Sequence, residues 1–318
     1  MNKVDIIIPA YNSYETIDRT LLSIAMQDNI KDISVYIVND GSNKNYSEQV
    51  SKFSKFMNIK ELELKKNRGP GYARGYGIDH SNNDYIVFID SDDILFNSNS
   101  IINLLNVINN DNSDIVISNF REEVNNGYII HENDTIFMHG KMYRRKFLSD
   151  NDINFNDSYS NEDNGFNNLL LLHNPKVSYL NEETYIWKNN IQSITRRNNH
   201  EYNIKGLNVY IYNIKWALNI AIEHNCDNYK IAELAYCCLV ATYFYYLQYQ
   251  YDDLVKNIKE VYNITKRYIL TMDKQEEVFK VQYDFLVNEE NKIKFTNPVI
   301  TFKEYIDKVK NYDSSNEL

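Results

Sequence analysis

Three carboxylates fall within four positions in the stretch "YIVFIDSDDILF", residues 85–96: Asp90, Asp92 and Asp93. Charges of one sign this close repel unless water screens them or a cation sits among them. Hard oxygen ligands at this spacing suit Mg²⁺ or Mn²⁺, which keeps several waters and takes further ligands from substrate phosphates. A solvated turn in which Asp92 or Asp93 caps a following helix is the plainer alternative. Asp90 closes a run of strand-forming residues, where an unpaired carboxylate is costly, and that position favours the cation.

Other polar groups invite similar questions. The segment "NRGPGYARGYG", residues 67–77, sets Arg68 and Arg74 around a loop and a helix beginning near Pro70. Backbone N–H groups and guanidinium groups arranged this way can hold a diphosphate, although the pattern fits neither phosphate-loop signature and also suits simple helix capping. Asp40, in "VNDGS", is ordinary turn chemistry by itself; beside the ring of Tyr11, its carboxylate can instead accept from a nucleobase N–H. Glu162 and Asp163, in "YSNEDNGFNNLLLL", open an apolar helix. They match the positive end of its dipole, or serve as a general base in a pocket. His139 has no partner at metal-ligand spacing and is either structural or substrate-facing.

These residues need a scaffold that brings them together. Short β-rich runs at 4–10, 33–40, 59–65, 85–90 and 114–120 alternate with helical stretches, which predicts a doubly wound, mostly parallel α/β sheet. The segment 14–27 places Ile17, Leu21, Ile24 and Ala25 on one helix face, with Ser13 available as N-cap. Ligands of such sheets bind at the carboxyl ends of strands. Pro9 to Asn12, Asn39 to Ser42, and Asp90 to Asp93 with Ser91 between them all fall at those ends. Residues 121–200 read as mixed structure continuing the same domain. From about 201 to 318 the spacing is helical, in stretches 203–224 and 229–272, and the predicted organisation is a domain over 1–200 with a helical region over 201–318.

Composition narrows the function. A net charge of −10 over 318 residues disfavours an extended nucleic-acid surface. Cys226, Cys237 and Cys238 lack zinc-site spacing and read as free thiols of a reducing compartment. The N-terminus has no signal-peptide core and no apolar run is long enough to span a bilayer, so the expectation is a cytoplasmic protein, with membrane contact only at a surface. The aromatic run "YFYYLQYQY", 243–251, reads as core or interface, since its helix carries little positive charge to accompany base stacking.

Taken in order, "IIIPAYN", "IVNDGS", "NRGPGYAR", "FIDSDD" and "NEDNGF" resemble the inverting family 2 glycosyltransferases of the GT-A fold, over about residues 3–196. The segment "GKMYRRKFLSDNDINF" resembles members that decorate teichoic acids, capsules and other surface glycans. The resemblance implies a hexosyltransferase-like enzyme with a nucleotide-sugar donor, usually a UDP-sugar, and a hydroxyl-bearing acceptor. By the same resemblance, Pro9, Tyr11 and Asp40 hold the base end of the donor, and Arg68 and Arg74 lie near its diphosphate. Asp90 and Asp92 match the Asp-X-Asp metal motif for Mn²⁺ or Mg²⁺, with Asp90 and Ser91 also against the donor. Asp163 matches the catalytic base, and Glu162 and His139 are assigned to the acceptor side. The segment "NNIQSITRR" adds Gln192, Ser193, Thr195 and Arg196 near the diphosphate. Two positions depart from the family pattern: Asn39 replaces an aspartate, and Gly75 stands where asparagine often follows the arginine.

Alternatives of other classes are an idle module that binds a glycan or nucleotide sugar without turnover, and a nucleotidyltransferase, which would release pyrophosphate. The Tyr-rich helices leave self-association or docking at a membrane surface open.

Overall fold

The runs of Val and Ile become neighbouring strands because branched side chains fill a pleated surface buried on both faces. The computed structural model describes residues 3–190, 204–249, 251–288 and 300–312. The chain divides into two compact units, residues 1–201 and 202–318.

In the first unit the elements follow in the order β1 (Val4–Ala10), α1 (Ile17–Ala25), β2 (Ile33–Asn39), α2 (Ser47–Phe53), β3 (Asn58–Glu63), α3 (Pro70–Asp79), β4 (Tyr85–Phe88) and β5 (Ile94–Leu95). Then come α4 (Ser100–Asn110), β6 (Ile115–Val124), β7 (Gly127–His131), β8 (Lys141–Arg144), α5 (Arg145–Asp150), α6 (Glu162–Leu172) and β9 (Val177–Trp187). One sheet holds the described strands in the order β3-β2-β1-β4-β8-β6-β9-β5, with β7 paired to β6. Its first four strands are parallel, as the strand–helix alternation requires. Past β4, the antiparallel β8 lies between β4 and β6. The turn at "EVNNGY" is a tight hairpin joining β6 to β7.

The core lies beneath β1, β2 and β4, where Ile6, Ile8, Val35, Ile37 and Val87 meet Ile17, Leu21 and Ile24 of α1. Each such buried branched side chain contributes roughly 1.5–3 kcal/mol of transfer free energy. On α1 Ile17, Leu21 and Ile24 of the predicted stripe are buried, but Ala25 is only half-buried, Thr20 is buried with the others, and the cap is not the predicted one. The helix starts after Thr16 without a side-chain cap, and the Ser13 hydroxyl instead bonds Ser91 at 2.7 Å. Helix α3 carries glycines where it meets the sheet: a Cβ at Gly77 would stand 2.4 Å from Ile7 Cγ2. That close approach is what sets α3 against β1 and β2.

The second unit contains α7 (Ile204–Glu223), α8 (Asn228–Tyr249), α9 (Asp252–Ile269), α10 (Gln275–Tyr283) and α11 (Phe302–Asn311). The stretch read as one helical segment, 229–272, is two helices, α8 and α9. Tyr243 and Tyr246 of the aromatic run pack on Tyr305 of α11 at centroid distances of 5.6 and 5.3 Å. Those rings are core, as their low positive charge suggested. Helix α11 begins with a reciprocal capping box between Thr301 and Glu304. Among the described residues no helix is long and apolar enough to cross a membrane.

Candidate active site

The carboxyl ends of β1, β2 and β4 converge as the sequence predicts. Pro9 pairs with Val38 of β2, whereas the β1–β4 register stops at Ile7 and Phe88. Proline has no N–H with which to carry that ladder further, so the cleft opens where the acidic loop begins. Asp90 to Asp93 form a turn closed by the Asp93 N–H donating to the Asp90 carbonyl at 3.0 Å. Strand β5 follows directly, so the helix-capping alternative for Asp92 or Asp93 falls away. Helix α1 holds the back of this turn: the Arg19 Nη2 donates to the Asp92 carbonyl at 2.5 Å, and the Thr20 hydroxyl to the Asp93 carbonyl at 2.7 Å.

Each carboxylate has a different surrounding. Arg74, on α3, is 3% exposed. Its Nη2 donates to Asp90 and its Nη1 to Glu162, both at 2.6 Å. Burial pushes the Asp90 carboxyl upward, but the Arg74 charge overrides that and holds it below the usual range. Asp92 accepts from the Asn190 amide at 2.6 Å, and burial together with the Asp90 charge raises its pKa. Asp93 is buried and accepts from the Tyr185 hydroxyl at 2.6 Å and the Lys188 N–H at 2.8 Å. Burial, then Asp92 and Asp90, push it well above the usual carboxylate range. At an effective dielectric near 20, two like charges 4 Å apart cost about 4 kcal/mol. Arg74 balances Asp90 and Glu162, whereas among the described residues no cationic side chain is paired with Asp92 or Asp93.

Asp163 occupies the first turn of α6. Its Oδ1 accepts its neighbour's Asn164 N–H at 2.8 Å. Burial, and then the adjacent Glu162, raise its pKa to about 7. A carboxylate poised there exchanges protons near neutrality, as a general base must. Lys141, on β8, is 1% exposed. Its ammonium donates to the Phe137 carbonyl and lies 3.7 Å from Asp134, tying down the segment that carries His139.

His139 is 6% exposed, with its Nδ1 lacking a hydrogen-bond partner. Its ring stacks on Tyr185 at a centroid distance of 4.7 Å. A ring nitrogen lies within 4.8 Å of carboxylate oxygens of Asp90 and Asp93, which are themselves within that distance of each other. Among the described residues, Asp90, Asp93 and His139 thus bring three potential ligand atoms close together, next to Asp92 of the motif pair.

The donor residues sort into two kinds. Tyr11 is 51% exposed at the end of β1, open for ring stacking. Ser91 is buried on Ser13. Asp40, expected to meet a base, accepts from the Arg68 and Gly69 N–H groups at 2.7 and 2.9 Å and so organises the loop. Burial raises its pKa against those bonds. Arg68 stacks over Tyr72 and is paired with Asp157, and the two terminal nitrogens of Arg74 are held by Glu162 and Asp90 while its Nε has no partner among the described residues. At Gly75, a Cβ would stand 2.7 Å from the Asn154 Oδ1, so an asparagine from another segment fills the space beside it. Gln192, Ser193, Thr195 and Arg196 lie outside the described residues. Sequence reading missed Tyr185, Asn190 and Lys141. A tyrosine at the end of a polar strand and a lysine in an apolar run were their only signals.

The sheet order, the parallel half and the strand-end site define an α/β fold of the GT-A type. The crystal structure of Staphylococcus aureus TarS 1–349 in complex with UDP superposes with a TM-score of 0.67 at 18% identity, covering 95% of this chain and 99% of that one. The mannosyltransferase PcManGT from Pyrobaculum calidifontis, in complex with GDP-Man and Mn²⁺, gives 0.55 at 12% identity over 89% of this chain and 80% of its own. Residues 5–161 match the family model described as Glycosyl transferase family 2. The poly(ribitol-phosphate) beta-N-acetylglucosaminyltransferase TarS of S. aureus is 28% identical over 204 residues, 59% of this chain and 35% of TarS. Residues 5–161 of this chain form a domain of glycosyltransferase family 2, which takes up just under half of its 318 residues. The chain spans about a third of the length of the TarS protein it matches.

Proposed function

We propose that the chain is a metal-dependent, inverting glycosyltransferase that moves a sugar from a nucleotide-sugar donor, a UDP-sugar, to a hydroxyl of a glycan or polyol-phosphate surface polymer. The observation that carries this reading is the placement of Asp163 on the first turn of α6, beside a strand-end acidic loop to which Arg74 and Glu162 connect it. The names of the solved neighbours support the donor class, since TarS was crystallised with UDP-GlcNAc and PcManGT with GDP-Man.

Asp163 accepts the proton of the acceptor hydroxyl as its oxygen bonds the anomeric carbon. The bond from that carbon to the diphosphate breaks on the opposite face, so configuration inverts and the nucleoside diphosphate leaves. Tyr11 offers its face to the base. Arg68, on the rim, exchanges Asp157 for the diphosphate. Asp90 and Asp92 of the acidic loop, with Asp93 and His139 beside Asp90, would hold a divalent cation, Mn²⁺ or Mg²⁺, which when bound would neutralise charge on the leaving group. Residues 1–200 would be the catalytic part, and 201–318 would serve packing, acceptor recognition or self-association. Work on a surface polymer would place the protein in the cytoplasm at the inner face of the membrane.

The test is nucleoside diphosphate release from a panel of UDP-, GDP- and dTDP-sugars, with Mn²⁺ or with EDTA, for the wild type and Asp163→Asn. Metal-dependent hydrolysis of one donor, lost in the variant, supports the reading. Equal release in the variant overturns the base, and pyrophosphate release from nucleoside triphosphates would instead indicate a nucleotidyltransferase.

A further inference from the structure

The end of the sheet opposite the acidic loop holds a cavity that the proposed transfer does not use. We infer that it is a second, non-catalytic site for a neutral polyhydroxylated ligand, a sugar or polyol segment of a glycan chain. Its volume is about 490 Å³, and Tyr85 at the start of β4, Arg144 at the end of β8 and several asparagines line it. Tyr85 and Arg144 are partners in the β4–β8 register. Small-molecule sites span roughly 300–1,000 Å³. Five extended residues separate Tyr85 from Asp90, up to roughly 17 Å, so this cavity and the strand-end cleft do not overlap.

Hydrogen bonds tie the wall together and leave part of it unspent. The Arg144 Nε donates to the Ser113 carbonyl at 2.9 Å, and its two terminal nitrogens to the Tyr85 hydroxyl and the Ile108 carbonyl, both at 3.2 Å. The Tyr85 hydroxyl in turn donates to the Asn109 Oδ1 at 2.7 Å. A guanidinium carries two hydrogens on each terminal nitrogen, so Arg144 keeps one on each for a ligand. Asn83 donates through its amide to Asp5 and Ser34, and its Oδ1 accepts nothing among the described residues. Asn82 and Asn112 are exposed, with side chains that bond no described residue.

That combination selects the ligand. A hydroxyl both donates and accepts, so it suits a wall that sets amide oxygens beside N–H groups, whereas a phosphate diester only accepts. Charge points the same way. Each cation of the lining already has a carboxylate: Asp5 for Arg145 at 2.9 Å, Asp150 for Lys146 at 2.7 Å and Asp114 for Arg144 at 4.0 Å. No cationic excess remains to draw a polyanion out of water. The lining includes no histidine, cysteine or carboxylate pair, so the site binds without reacting. On the transferase reading above, a glycan held here leaves the catalytic cleft open, and another part of the same chain meets that cleft at a raised effective concentration.

The experiment is saturation-transfer NMR on the full chain without donor, with maltohexaose, chitotetraose and ribitol as probes and inorganic phosphate as competitor. Two variants alter exposed lining positions only. Asn82→Ala combined with Asn112→Gly removes two unengaged amides, glycine keeping the backbone at its φ of 47°, and Ser149→Trp fills the cavity. The expected result is millimolar binding of at least one probe by the wild type, weakened about fivefold or more in each variant with the melting curve unchanged. Binding of no probe, or equal binding by the folded variants, would overturn the site. Displacement of the bound probe by an equal concentration of phosphate would overturn the neutral ligand. If Ser149→Trp does not fold, the double variant decides. No donor is present, so failure of the transferase reading leaves this result standing.

Discussion

Arg74 joins Asp90 to Glu162, donating one terminal nitrogen to each at 2.6 Å from a side chain that is 4% exposed. The strand-end loop and the start of α6 are thereby one electrostatic unit. Removing the cation from a buried bridge leaves its partners uncompensated, at a cost of about 3–5 kcal/mol. Arg74→Met should lower stability by that order in a urea titration and abolish sugar transfer. Arg74→Lys, which reaches one carboxylate rather than two, should recover part of the stability and little of the activity.

The pH dependence of transfer should follow Asp163. Its folded pKa, raised to about 7 by burial and by Glu162, means that the rate rises with pH through neutrality and levels off above it. Stability should move the other way. Between the ordinary carboxyl range and about 7 the folded chain holds a proton there that the unfolded chain has lost, so stability falls as pH rises across that window. Asp163→Asn should flatten this component of the melting-temperature profile and reduce transfer by roughly 10²–10⁴-fold, the range for a general base.

Asn39 is the departure from the family pattern that the fold explains. Its amide donates to Glu61 at 2.8 Å, and its Oδ1 accepts the Ser42 N–H at 2.9 Å. An aspartate there would set two carboxylates against each other in a buried position. Asn39→Asp should therefore cost about 1–3 kcal/mol in a denaturant melt. Adding Glu61→Gln should return most of it, and additive losses in that double-mutant cycle would show that the pair is not coupled.

Gly77 tests how closely α3 must approach the sheet. A methyl group would meet Ile7 Cγ2 at 2.4 Å and Val38 Cγ2 at 3.2 Å. Gly77→Ala should destabilise by roughly 1–3 kcal/mol despite its better helix propensity, as overpacking does. A gain in melting temperature would mean that the contact relaxes freely.

The strand runs, the stripe on α1 and the gathering of polar residues at the strand ends were legible because each depends on local periodicity and on one general property of parallel sheets. The five motifs, in order, likewise pointed to the family. What sequence order could not convey was which charges meet. Glu162 reaches Arg74 across 88 positions, Tyr185 reaches Asp93 across 92, and Asn190 reaches Asp92 across 98. Those pairings need strand β9 and helix α6 folded back on the parallel half of the sheet, and burial there decides the outcome. In water, Asp163 would be an ordinary carboxylate and His139 an ordinary imidazole. Desolvation raises the first to about 7 and leaves the Nδ1 of the second without a hydrogen-bond partner among the described residues.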